Sequence, residues 1–378
     1  MIYLDHAATT PMSKDCADVY VRYATELFYN PSARYRAALE CANAVREARK
    51  EIARCLGAKS EDEIIFTASG SEADNLALLC SIKAKHGKVL IGGIEHSAVY
   101  ETARALEARG YQVEFLPCDA YGKTDLDALR AKLTNDVVLV SVMHVCNETG
   151  CINDLQAIAS LVHSMCPHAL VHSDGVQAFG KIPVSVASLG VDMYSISAHK
   201  IHGPKGVGAL YCRQGLFLRP IIYGGGQERN IRSATENVGG IVAFARAAKT
   251  AMQILRARLK HARECKARFL EGIHSIADLR ICSPADGSPY IVLLSVAQAR
   301  GEVIVHEMQD RGFLIGTGSA CSSHKAVGRI PTALGLSPSD AQGMLRISFG
   351  QDTTLEQIDA CTQALQESIE KTRAFQRQ

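Results

Sequence analysis

The chain has 378 residues, 47% hydrophobic and 21% charged, with 41 basic and 39 acidic side chains for a net charge of +2. Such a length implies roughly two domains and an ample core. The balanced charge leaves no footprint for nucleic acid or an anionic membrane, no apolar run approaches the roughly 18 residues of a bilayer span, and Met1-Ile2-Tyr3-Leu4-Asp5-His6 lacks the pattern of a secretory signal, so a cytoplasmic protein is expected.

In chain order, Ala38 to Gly57 carries an amphipathic helical pattern closed by a glycine at the C-cap. Ile64-Ile65-Phe66-Thr67 is a short strand pattern. The turn Ala68-Ser69-Gly70-Ser71 then leads into a helix from Glu72 to Lys85, with Ser71 as N-cap and Asp74 completing a capping box. Strands at 89–91, 113–116, 137–142 and 170–172 alternate with helices at 98–109, 126–133 and 155–165. This alternation predicts an α/β fold with a mostly parallel central sheet sandwiched by helices. Beyond Gly239 a long helix from Val242 to about Ile276 leads into strands at 291–295 and 345–349. The expected division is a large domain over 13–245 and a smaller α+β domain formed by 1–12 and 246–378.

None of the 13 cysteines forms a C-x-x-C pair, and the closest two, Cys146 and Cys151, are too far apart for a zinc knuckle, so no metal site is expected. Twelve read as packing residues. Cys321 differs, because it lies among small residues in Gly318-Ser319-Ala320-Cys321-Ser322-Ser323, with His324 and Lys325 beside it to favour the thiolate.

Several strand ends carry polar groups that together suit one ligand. Ser195-Ile196-Ser197-Ala198-His199-Lys200 presents a lysine before a Gly-rich turn. It is either a solvated turn lysine or, at the ligand-binding edge of the sheet, an amine able to attack an aldehyde. Gly70 and Ser71 lie where free N–H groups can cradle a phosphate. Asp174 either caps the next turn or holds a protonated pyridine nitrogen, and Gln177 can reach a ring oxygen. His96 is either structural or stacks on such a ring as an acid/base group. Asn147, in Val145-Cys146-Asn147-Glu148, offers amide donors to a carboxylate. The set describes a phosphate cup, a pyridinium partner, a stacking imidazole and a Schiff-base amine.

These motifs, with Tyr3-Leu4-Asp5-His6-Ala7-Ala8-Thr9-Thr10, Asn30-Pro31-Ser32, Gly224-Gly225-Gly226-Gln227-Glu228-Arg229, Gly318-Ser319-Ala320-Cys321 and Arg346-Ile347-Ser348, give the whole chain a family resemblance. It resembles the fold-type I, class V pyridoxal-phosphate enzymes, specifically the cysteine desulfurases of the NifS/IscS type. The resemblance implies a PLP-dependent transferase with pyridoxal 5'-phosphate on Lys200. It implies that His96 stacks on the ring, Asp174 pairs with its nitrogen and Gln177 with its hydroxyl. Gly70, Ser71, Ser197 and His199 would bind phosphate, with Thr235 reaching in from the other subunit of a homodimer. Asn147 and Arg346, with Asn30 or Arg34, would hold the carboxylate of L-cysteine. Cys321 would take its sulfur as a persulfide for an acceptor protein, such as an iron–sulfur scaffold or a thiolation enzyme. Selenocysteine lyases and class V aminotransferases are the alternatives within this fold. Three features depart from the family pattern: Ala234 in place of a usual Gly, Arg36 in place of a frequent His, and a C-terminus without the docking extension of housekeeping members.

Overall fold

A computed structural model describes residues 1–318 and 328–376. Cys321, His324 and Lys325 therefore lie outside the described residues. The main sheet has seven strands in the order Ile64–Thr67, Gly208–Cys212, Met193–Ser197, Leu170–Asp174, Val137–Ser141, Lys88–Gly92, Gln112–Leu116. Gly208–Cys212 runs antiparallel to both neighbours, and the other pairings are parallel. The sheet is thus mostly parallel and α/β, as the alternation of elements requires.

The strand period of two decides which core each side chain joins. Ile64, Phe66, Leu90, Val140, Val171 and Ile196 enter one apolar cluster, packed with the helices Arg36–Leu56, Leu155–Met165 and Val238–Gln253. Ile65, Val89, Ile91, Leu139, Met193 and Leu210 point the other way, toward the helices Gly70–Cys80 and Ser97–Ala108. A strand buried on both faces cannot alternate polar with apolar, which is why these segments read as continuous apolar runs.

A second, three-stranded antiparallel sheet orders Met344–Ser348, Ile291–Val296 and Leu279–Ile281. Its own cluster includes Val292, Leu294, Leu345, Ile347, Phe269 and Leu365, together with Leu4 from the chain start. Ile2–Tyr3 pairs in parallel with Phe313–Leu314. The chain then crosses to the main sheet, where Thr10 N donates to His199 O at 3.0 Å.

Two local expectations differ from what forms. The long helix expected from Val242 is two helices, Val238–Gln253 and Leu255–Ile273, meeting at Ile254, whose ψ of 8° departs from helical geometry. Helical periodicity persists through such a break, so the pattern alone does not show it. The N-cap before Gly70–Cys80 is Ser69, not Ser71. Ser69 Oγ accepts from Glu72 N at 3.0 Å, and Glu72 Oε2 accepts from Ala68 N at 2.8 Å. Among the described residues no helix is long and apolar enough to cross a membrane.

Candidate active site

The parallel strands bring their carboxyl ends to one edge of the main sheet, where open α/β sheets form ligand crevices. There a cavity of about 370 Å³ is lined by Gly70 and Ser71, by His96, Asn147, Asp174 and Gln177, by Ser197, His199 and Lys200, and by Arg346. Ten of the residues expected from the sequence thus converge, drawn from six separate stretches of chain. Thr235, Asn30 and Arg34 do not line it; all three are exposed on this chain. A larger cleft of about 630 Å³ opens around Asp192, at the opposite end of Met193–Ser197. Its charges satisfy one another, with Arg213 and His163 at 2.7 Å and 3.1 Å from Asp192, so it is the less demanding of a ligand.

Lys200 follows Met193–Ser197 in a single turn over Ala198–Lys200. Its Nζ donates to the carbonyls of Ala7 and Ala8 at 2.6 Å and 2.7 Å. Burial, aided by the Arg346 charge, lowers its pKa to about 8. An amine at that value has a substantial neutral fraction near neutral pH, as a nucleophile needs.

Asp174 ends the central strand Leu170–Asp174, and its Oδ1 accepts from Val176 N at 2.9 Å. A carboxylate oxygen of Asp174, one of Asp74 and a ring nitrogen of His96 lie within 4.8 Å of one another. Burial pushes the pKa of both carboxyl groups upward, and for Asp74 the charge of Asp174 adds to it. A cation placed there would compete with a pyridinium N–H for the same oxygens. His96 caps Ser97–Ala108, its Nδ1 accepting from Ala98 N at 3.1 Å, and Nε2 has no hydrogen-bond partner among the described residues.

The cup is built from the start of Gly70–Cys80. Because Ser69 caps Glu72, the first two helix N–H groups have no intrahelical acceptor and are left for an anion. A Cβ on Gly70 would lie 2.7 Å from Val176 Cγ2, so glycine is what lets the turn close here. Ser197 Oγ and Asn147 Oδ1 are buried without a partner among the described residues. Each unpaired buried polar atom costs about 1–3 kcal/mol. Their grouping around one cavity fits a ligand that bears a phosphate, a basic ring nitrogen and a carbonyl, which is pyridoxal phosphate.

Arg346 approaches from the smaller sheet. It donates to Asp5 Oδ1 at 2.8 Å, to Asn147 O at 3.0 Å and to Glu148 Oε1 at 3.4 Å. Burial alone would lower its pKa, but Glu148 and Asp5 outweigh that and raise it. Sequence reasoning missed Asp5, Ala7, Ala8, Asp74 and Glu148. A signal existed for Asp74, four residues beyond Gly70 and so on the same helix face. The carbonyls of Ala7 and Ala8 carried none, since any residue has one.

Dictyoglomus turgidum holds a protein named cysteine desulfurase IscS that is 38% identical over 382 residues, covering 99% of this chain and 96% of that protein. A solved structure titled NifS-like protein superposes with a TM-score of 0.92 at 33% identity, covering 98% of this chain and 99% of that one. Another, titled SspA in complex with cysteine, gives 0.80 at 29% identity, covering 92% and 99%. Residues 2–361 match the family described as Aminotransferase class-V, a span that takes in both sheets and every residue lining the cavity. The chain belongs to the class-V aminotransferase family.

Proposed function

We propose that this chain is a pyridoxal-phosphate-dependent cysteine desulfurase, which takes sulfur from L-cysteine, releases L-alanine and holds the sulfur as a persulfide on Cys321. The observation that carries it is a lysine with a lowered pKa, a buried carboxyl group and an imidazole around one cavity, in a chain 38% identical to a protein of that name. When bound, pyridoxal phosphate supplies a carbonyl for the substrate amine and an electron-poor ring for the charge left at Cα.

The side chains do the rest. Lys200 would hold the cofactor and move the substrate's Cα proton. Asp174 would pair with the ring nitrogen and favour its protonated form, and His96 would face the ring and carry protons. Gly70, Ser71, Ser197 and His199 bind the phosphate, and Thr235, exposed on this chain, completes the cup of a second copy in a homodimer. Asn147 and Arg346 hold the substrate carboxylate, a task suited to the planar guanidinium fork. The Cys321 thiolate bonds to the substrate sulfur as the C–S bond breaks, and protonation of the remaining carbon skeleton gives alanine. The persulfide sulfur then passes to an acceptor protein.

A cytoplasmic setting agrees with the free thiols of all twelve described cysteines. The division into 13–245 and 1–12 with 246–378 is likewise proposed; the separate apolar clusters support two domains, with Ala247 and Ala248 packing in the larger one. The test is to incubate the yellow holoenzyme with L-cysteine, quantify alanine, and weigh the Cys321 peptide. Alanine matched by one added sulfur atom is expected. A keto acid in place of alanine, with no sulfur on the peptide, would make it an aminotransferase.

A further inference from the structure

Lys181 stands outside the roles assigned above. It is only 4% exposed, and among the described residues its one acceptor is Gln177 Oε1, at 2.6 Å. A buried amine with a single neutral partner is unfavourable taken by itself. The titratable groups that bear most on it are Lys200, Arg258 and Arg346, and it bears in turn on His6, His199 and His202. Among the described residues none of these makes a hydrogen bond with the amine, which Gln177 alone accepts.

The Gln177 amide has an acceptor end and a donor end, and both are committed. Oε1 receives Lys181, and Nε2 donates to Ala7 O at 2.8 Å. Ala7 O also receives Lys200 Nζ at 2.6 Å, so the amide's donor end is beside the catalytic amine. Flipping the amide would break the bond that Lys181 Nζ donates to Oε1 and set a carbonyl against the Ala7 carbonyl. Both mismatches are buried. The local backbone holds this register: Lys181 N donates to Ala178 O at 3.0 Å, and Gly180 turns the chain at a φ of 71°.

Resting on the cofactor reading above, we propose that Lys181 is a positioning residue. It keeps the Gln177 amide with its N–H2 end toward the cavity, as donor to the ring oxygen of pyridoxal phosphate. A donor at that oxygen stabilises its anion; without it the oxygen and its neighbouring nitrogen hold their shared proton more tightly.

The test is a pH titration of the holoenzyme's visible absorbance, with cofactor affinity of the apoprotein measured alongside. Lys181→Met keeps the aliphatic stem and removes the donor. It is expected to raise the midpoint by about one pH unit and to weaken cofactor binding about tenfold. Lys181→Gln retains an N–H2 donor and should restore the wild-type midpoint. Gln177→Leu should raise the midpoint as far as Lys181→Met, and combining the two should add nothing, because both act through one amide. Should Lys181→Met fail to fold, Gln177→Glu replaces it, since a carboxylate keeps Lys181 paired yet presents no donor; its midpoint should rise as well. An unchanged midpoint in a folded yellow variant overturns the proposal, and so does a full further rise when Lys181→Met is added to Gln177→Leu, which would mean that Lys181 acts by its own charge. A wild-type protein that takes up no cofactor would instead overturn the functional reading, and this proposal with it.

Discussion

Arg346 Nη2 lies 2.8 Å from Asp5 Oδ1, an ion pair that joins residues 341 positions apart at the mouth of the cavity. It ties the chain start to the smaller sheet and aims the guanidinium, which also reaches Glu148 at 3.4 Å, toward the space beside Lys200. The fork is engaged by protein carboxylates while still bordering the cavity. On the proposed function, a substrate carboxylate would meet a cation already oriented.

That arrangement sets the first expectation. Arg346→Lys should raise KM for L-cysteine about tenfold or more with a smaller change in kcat, since an ammonium lacks the bidentate fork. Arg346→Ala should in addition lower stability by about 3–5 kcal/mol, because the buried Glu148 carboxylate loses its charge partner. Steady-state kinetics and urea unfolding read the two effects separately.

Lys200 gives a pH signature. Its pKa falls from 10.5 to about 8, chiefly through burial. Capture of pyridoxal phosphate by the apoprotein should accelerate with a midpoint near pH 8, whereas an unshifted lysine would put it above pH 10. Below about pH 8 the amine is charged both folded and unfolded, so the burial penalty is fully present; it fades as pH rises toward 10.5. Apoprotein stability relative to Lys200→Met should therefore climb across that window.

Asp74 and Asp174 make a second. Both folded-state values are raised, by burial first, so the stability of the protonated pair is present below the unfolded value of 3.8 and is lost as pH rises through the folded values. Asp74→Asn has the same shape and cannot ionise. Its apoprotein should melt at a temperature similar to wild type at about pH 4, and its advantage should widen toward about pH 8. An advantage that shrinks with rising pH would contradict the shared burial of these carboxyl groups.

Cys321→Ser separates cofactor from sulfur chemistry. The variant should keep the yellow colour and the affinity for L-cysteine, yet form neither persulfide nor alanine in repeated turnovers. Mass spectrometry of the intact chain after exposure to cysteine checks it. Undiminished alanine formation would remove Cys321 from the reaction.

The sheet and most of the cavity were legible because they follow from short-range rules. Buried parallel strands announce themselves as apolar runs, and polar residues just after them fall at one edge whatever the strand order. Hence Lys200, Asp174, His96, Asn147 and the Gly70 turn were all found. The cap at Ser69 and the break at Ile254 were not, since neighbouring serines compete for one cap and periodicity runs through a break.

The sequence by itself determined the chemical inventory: an amine, carboxyl groups, an imidazole and free N–H groups at strand ends, with one thiol among small residues. Only the tertiary structure decided which of them meet and what surrounds them. It brought the carbonyls of Ala7 and Ala8 onto Lys200, Asp5 onto Arg346, and the Gln177 amide onto Ala7. It left Thr235, Asn30 and Arg34 outside this chain's cavity. Most of these meetings depend on strand order and on crossings of a hundred residues or more, which no local periodicity encodes. Burial then supplied the rest, since only a side chain's final surroundings fix how far its pKa moves.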